Sequence, residues 1–326
     1  MQIGDTKAVR QHKVKGVLHA SPTYRHPVEI PFGIATGAAG GPVAAVTAGI
    51  HGQEYAGMEA ASRLFRQLQP GEMKGTVIVV PVVNMPAFLA GMPFVTPQDG
   101  LNLNRVFPGD GGSSISYRIA RTLFNEIGVK CDYLLDLHGA DGGEDQFPNV
   151  IAKLAGDGRD QESEAVARAF GLEYIRRSVD GAGSTPGTFV GVARKRGTIG
   201  LTTEIGGEGR YDETEINLQL NGVLNVLRYL NVVPGTPEPL ESFAEQKVIA
   251  WPEGGERVVT ETGGIFHPYV KPRQLVRAGE LVAEIKDEWG DVKERHAAPT
   301  EVVVRLIRSK RIMDPGDLLF SLIRAV

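Results

Sequence analysis

The stretch Ala45-Val46-Thr47-Ala48-Gly49-Ile50-His51-Gly52-Gln53-Glu54-Tyr55 decides how this chain is read. A small-residue apolar run stops at Gly49, which predicts the end of a strand. His51 and Glu54 follow, and a helix is expected over Glu54–Leu68, with Tyr55, Met58, Ala61, Leu64, Phe65 and Leu68 on one face. A strand exit and a helix start can turn the imidazole of His51 and the carboxylate of Glu54 toward one point. Two His and one Glu make a catalytic zinc set. His138 closes Tyr133-Leu134-Leu135-Asp136-Leu137-His138-Gly139, a second strand running into glycine. His51, Glu54 and His138 are therefore the candidate ligands of one zinc ion per chain.

Working outward, Thr76–Val83 is almost wholly apolar, as in a strand covered on both faces. Strand, helix and strand in this order predict an α/β domain. The segment Asn84–Asp110 is long, polar and rich in Pro and Gly, and loops of that length usually carry function. It contains Asn102-Leu103-Asn104-Arg105-Val106-Phe107-Pro108-Gly109. Arg105 is the candidate clamp for a substrate carboxylate, because a guanidinium grips such a group in bidentate fashion. Asn102 and Asn104 can donate amide hydrogens to the same group or stabilise the turn. Ser113 or Ser114 is expected to cap a helix over Ser114–Ile127. Gly181–Gly187 reads as a flexible loop, and Glu213–Leu230 as a long amphipathic helix. In Thr198–Gly207, Glu204 interrupts an apolar and hydroxylic strand. A carboxylate there is costly unless used or paired, which makes it the candidate general base.

Residues 1–35 read as a β-rich lead-in to a catalytic domain spanning 1–240. Val233-Pro234-Gly235-Thr236-Pro237-Glu238-Pro239 marks a linker, and 246–326 has the short-strand pattern of a small all-β, sandwich-like domain. That last part resembles a lipoyl or biotinyl carrier sandwich, but Lys286 lacks the flanking residues of a modified lysine. His12, His19 and His26 have no carboxylate at ligand spacing and read as surface or turn histidines.

The whole chain has 326 residues, 42% of them hydrophobic and 23% charged, which suits a globular protein with a sizeable core. A net charge of −4 without a basic block argues against nucleic acid as a partner. The single cysteine, Cys131, excludes an internal disulfide framework and reads as a small buried residue. The N-terminus has no basic stretch leading into an apolar one, and no apolar run approaches the roughly 20 residues of a membrane span. A cytoplasmic enzyme acting on a small molecule is expected, with a homo-oligomer left open.

Four motifs in order, Gly49-Ile50-His51-Gly52-Gln53-Glu54, Asn102–Gly109, Asp136-Leu137-His138-Gly139 and Thr203-Glu204-Ile205-Gly206-Gly207, resemble those of the succinylglutamate desuccinylase/aspartoacylase family, a relative of the zinc carboxypeptidases. The resemblance covers nearly the whole chain. It implies a carboxypeptidase-like mixed sheet flanked by helices, with a small C-terminal all-β domain. It implies His51, Glu54 and His138 on zinc, Glu204 as base and proton shuttle in Glu-assisted attack of zinc-bound water, and Asn104 and Arg105 on the substrate α-carboxylate. The reaction would release an acyl group from an N-acyl amino acid. Tyr269, in the C-terminal part, would stand for a tyrosine that aspartoacylases use. One departure is plain: the family's further arginine, upstream of the Asn-Arg pair, has no counterpart in Phe94-Val95-Thr96-Pro97-Gln98-Asp99. A carboxypeptidase acting on short peptides and a non-catalytic metal- or ligand-binding relative are the alternative readings.

Overall fold

The structure, a computed structural model, describes residues 1–21, 27–110, 112, 114–179, 185–250 and 255–324. Its frame is a nine-stranded mixed sheet in the order Lys247–Ala250, Tyr174–Val179, Asn149–Leu154, Ile199–Glu204, Tyr133–His138, Ala39–Ala48, Lys74–Val80, Val28–Thr36, His12–Ser21. The centre is parallel: Ile199–Glu204, Tyr133–His138, Ala39–Ala48 and Lys74–Val80 all run the same way. Helices cover both faces, which is why these strands are apolar without alternation. On one face lie Tyr55–Gln67, Asp160–Ala169 and Glu213–Tyr229, packed around Leu64, Phe170, Ile216 and Leu227. On the other lie Ile115–Leu123 and Phe189–Lys195, packed around Ile119, Leu134 and Phe189.

Beyond the main sheet, two antiparallel sheets enclose a separate apolar cluster that includes Phe266, Val304 and Phe320. One consists of Gly255–Val259, Leu318–Arg324, Val302–Arg308 and Leu275–Val276; the other of Val292–Ala297, Leu281–Lys286, Gly264–Pro268 and Ile312–Met313. The two parts of the chain trade strands. Lys247–Ala250 extends the nine-stranded sheet, while the three-residue strand Glu144–Gln146 pairs with Val302–Arg308. A small cluster of Phe147, Tyr174, Ile249, Val303 and Ile323 fills the seam.

Several local expectations change. The segment after Asn84 is not irregular throughout. Asn84 accepts a hydrogen bond from Ala87 N, Pro86 sits in the first turn, and a short helix Met85–Ala90 ends at left-handed Gly91 (φ +58°). The helix read from 114 to 127 is regular over Ile115–Leu123 and widens into a looser turn over Phe124–Gly128. Its start is not capped by Ser114. Asp99 reaches across from the loop, its Oδ2 accepting from Ser116 N at 2.9 Å and from the Ser114 hydroxyl at 2.6 Å. Ser113, His26 and most of the 181–187 loop lie outside the described residues, whereas His12 and His19 are exposed. Cys131 is buried; burial first, then the charge of Asp132, pushes its thiol up to about 12. Lys286 ends a strand and pairs with Glu284. Among the described residues no helix is long and apolar enough to cross a membrane.

Gly222 gives a direct test of the packing. It lies in the helix Glu213–Tyr229, and a Cβ there would overlap the fully buried ring of Phe170. Gly222→Ala gains about 1 kcal/mol of helix propensity but overpacks the core at a cost of about 1–3 kcal/mol. The expected net result is a lower urea midpoint; an unchanged or raised midpoint would show that this interface can yield.

Candidate active site

The parallel centre of the sheet decides where the chemistry lies. Glu204 stands opposite His138, and Leu137 opposite Ala48, so the strands ending at Ala48, His138 and Glu204 finish at one edge. Ligand sites of open α/β sheets form outside such carboxyl ends. Gly49, at φ +69°, turns the chain out of its strand and delivers His51.

Glu54 occupies the position before the helix Tyr55–Gln67, but its side chain makes no cap. It turns to two imidazoles instead. Oε1 lies 2.7 Å from His51 Nδ1, and Oε2 lies 2.9 Å from His138 Nδ1. All three residues are buried, and one donor atom from each fits within 4.8 Å of the others. Burial would raise Glu54, but the charges of His138 and His51 outweigh it and bring the carboxyl down to about 2. Burial would lower both imidazoles; Glu54 raises His51, and Glu54 with Asp136 raises His138.

The outer nitrogen of each imidazole is also held. Asp136 and His138 are two residues apart on one strand, hence on the same face. Asp136 Oδ2 lies 3.0 Å from His138 Nε2, while its Oδ1 accepts from the Thr47 hydroxyl at 2.6 Å. Asn102 Oδ1 lies 3.2 Å from His51 Nε2 and also accepts from Asn104 N at 2.8 Å. Acceptors at both Nε2 atoms hold the protons there, so the nitrogens that would give up a proton to a cation are the Nδ1 atoms, which face inward beside Glu54. Glu54 Oε2 is buried without an aligned hydrogen bond among the described residues. Two inward nitrogens and an electron-rich, unsatisfied oxygen are a donor set that fits a divalent cation of the zinc type. The backbone of His138 is pinned as well: its N donates to Thr203 Oγ1, and its carbonyl accepts from Gln219 Nε2.

Glu204, Arg105 and Asn104 line a cavity of about 260 Å³ together with the His-Glu-His group. Glu204 is half-buried there, and Gln146 Nε2 donates to its Oε2 at 2.9 Å. Arg210 does not pair with it, being engaged by Asp145, Glu208 and Glu215. Arg105 borders the same cavity; its Nη1 donates to Asn104 O at 2.8 Å, and burial lowers it while Glu204 works against that. Asn104 is fixed by Phe189 N, which donates to its Oδ1 at 2.8 Å, so its Nδ2 faces His138. Asn102 is spent on His51 and on its own turn. Tyr269 is not among the residues lining the cavity; its hydroxyl donates to Glu284 Oε2 at 2.7 Å. In the segment from Phe94 to Asp99, which holds no arginine, Phe94 sets its ring edgewise to His51, with centroids 5.6 Å apart, and its N donates to Asp141. Burial and the nearby Glu54 push Asp141 up to about 6.

Sequence reading gave no role to Asp136, Thr47, Gln146, Arg176 or Arg305. The first was recoverable, because its period-two spacing from His138 places it on the ligand face. Thr47 sits in the strand that leads to His51 but carries no signal by residue type, and Gln146, Arg176 and Arg305 come from other strands and leave no local signal. A larger cavity of about 410 Å³, beside the strand His12–Ser21 and the helix Ile115–Leu123, is not lined by the His-Glu-His group.

Fold and site together define a helix-flanked mixed-sheet protein with a buried His-Glu-His centre at the carboxyl edge of its central strands. The succinylglutamate desuccinylase/aspartoacylase catalytic domain matches residues 40–230, and the chain belongs to that family. A curated relative, the N-alpha-acetyl-L-2,4-diaminobutyric acid deacetylase of Halomonas elongata, is 30% identical over 282 residues, covering 86% of this chain and 81% of the relative. The succinylglutamate desuccinylase/aspartoacylase structure from Rhodobacter sphaeroides superposes with a TM-score of 0.86 at 28% identity, covering 98% of each chain. The product-bound ectoine utilization protein EutE (DoeB) of Ruegeria pomeroyi shares the fold, with a TM-score of 0.83 at 23% identity over 96% of this chain and 95% of its own. The family is one of deacylases, and the carboxypeptidase-like architecture expected from the motifs is present.

The outer partners give a test. Asp136→Asn removes a charged acceptor behind His138 without changing side-chain size. Zinc affinity, read by competition with a chromophoric chelator, should fall by about 10- to 100-fold, and His138→Ala should abolish stoichiometric uptake. Wild-type affinity in both would detach these residues from a metal site.

Proposed function

We propose that this chain is a zinc-dependent amidohydrolase that releases the acyl group of a small N-acyl amino acid. The observation that carries this reading is the buried His51–Glu54–His138 donor set beside Glu204 in one cavity. Bound there, zinc supplies Lewis acidity toward the scissile carbonyl and acidifies water. Glu204 accepts a proton from the attacking water and returns it to the leaving nitrogen, so that the products are a carboxylate and a free amine. Its Oε2 is already held by Gln146, which leaves Oε1 for the proton in transit. Arg105 holds the substrate carboxylate, and Asn104, locked by Phe189 N, fixes the turn from which Arg105 reaches.

The charge of the cavity supports an anionic substrate. Arg105, Lys153, Arg176, Arg177, Arg257 and Arg305 line it, against Glu54, Glu144 and Glu204. Arg305 and Leu306, from the C-terminal sheets, narrow it, which favours a small amide over a peptide. The acyl group and the amino acid are to be found by screening zinc-loaded protein on N-acetyl and N-succinyl amino acids, with N-α-acetyl-2,4-diaminobutyrate in the panel.

Two variants test the roles on the best substrate found. Glu204→Gln should keep its zinc and lose about 10²- to 10⁴-fold in kcat; near-normal turnover would remove Glu204 as the base. Arg105→Gln should raise KM for the carboxylate substrate far more than for its primary amide. Equal changes for both would mean that Arg105 does not hold a carboxylate.

A further inference from the structure

An arginine inside an apolar strand of the C-terminal part calls for a reason, because burying a cation is costly without partners. Arg305 lies in Val302–Arg308 and is 8% exposed. The strand pairing slips at this residue: Val304 stands opposite Leu322, but Leu306 stands opposite Ser321. Such a bulge re-aims a side chain. The Arg305 guanidinium donates through Nε to Ser321 Oγ at 3.1 Å and through Nη1 to Gln146 Oε1 at 3.1 Å.

Gln146 is 6% exposed and belongs to the short strand Glu144–Gln146, which is fastened to the same C-terminal strand. Leu306 pairs with Gln146, Phe147 N donates to Arg305 O at 3.1 Å, and Arg308 pairs with Glu144 at 2.8 Å. A guanidinium can only donate, so the glutamine must present its carbonyl oxygen to Arg305. Its NH₂ group then has one direction left, toward Glu204 Oε2 at 2.9 Å. The order of the chain is fixed from end to end: Ser321, Arg305, Gln146, Glu204.

We propose that Gln146 and Arg305 are positioning residues for Glu204, holding one oxygen of its carboxylate so that the other is presented to the reacting proton. This rests on the reading of Glu204 as the base. Through this pair the C-terminal sheets reach the reacting carboxylate.

The test uses full-length, zinc-loaded Gln146→Leu, similar in volume but without the donor. The expected result is a fall in kcat of about 10- to 100-fold with KM and zinc content nearly unchanged. Arg305→Met should lower kcat in the same way, and Arg305→Lys, which retains a donor for Gln146, should recover part of the loss. A crystal structure of Gln146→Leu reads the same point without turnover: the Glu204 side chain should leave its wild-type position or occupy several. Wild-type kcat with an unmoved Glu204 would overturn the proposal. Glu204→Gln measured alongside separates the two readings. If that variant is active, the role of Glu204 falls; if it is dead while Gln146→Leu behaves as wild type, only the positioning role falls.

Discussion

Three parallel strands ending at one level are the constraint on which this molecule turns. The pairing of Ile199–Glu204 with Tyr133–His138, and of the latter with Ala39–Ala48, puts an imidazole, a carboxylate and a second imidazole-bearing loop at a common edge. A slip of one residue in either ladder would send His138 or Glu204 to the opposite face of the sheet. Helices on both faces hold the register by burying the middle of these strands, while His138 and Glu204 at the strand ends line the cavity. Thr203 and Gln219 then clamp the backbone of His138 itself.

Around that edge, polar groups are arranged in layers, each fixing the one inside it. Thr47 holds Asp136, Asp136 holds His138, and His138 faces Glu54. On the other side Asn102 holds His51, and Asp99 fastens the Asn102 loop to the start of the helix Ile115–Leu123. Buried polar chains of this kind are worth their desolvation only when every member is satisfied. The oxygen left without an aligned donor, Glu54 Oε2, lies at the centre, where a cation would complete the set.

The strands of the parallel centre were readable because each is an apolar run that ends in glycine or a polar residue, and the His-x-x-Glu spacing at Gly49–Glu54 announced a bend toward one point. Glu204 was readable for the opposite reason, as a charge where the strand pattern asked for none. Asp136 escaped notice although the period of the strand placed it beside His138. Gln146 and Arg305 could not be found in this way, because they are separated by 159 positions and meet only through a bulged pairing between the two parts of the chain. Asp99 in place of Ser114 as the helix cap is the same lesson on a smaller scale: a local signal named a plausible group, and a loop brought a better one.

The exchange of strands between the main sheet and the C-terminal sheets has a bearing on how the chain can be handled and how it can vary. Without Lys247–Ala250, the strand Tyr174–Val179 becomes an open edge with its N–H and C=O groups unpaired; without Glu144–Gln146, so does one end of Val302–Arg308. Open edges recruit foreign strands. Each part is therefore the other's guard against aggregation. A cut in the Pro- and Gly-rich stretch near residue 235 would yield two sticky fragments rather than two modules, and insertions are better tolerated at the hairpin tip around Trp289, which is 85% exposed, than at that junction.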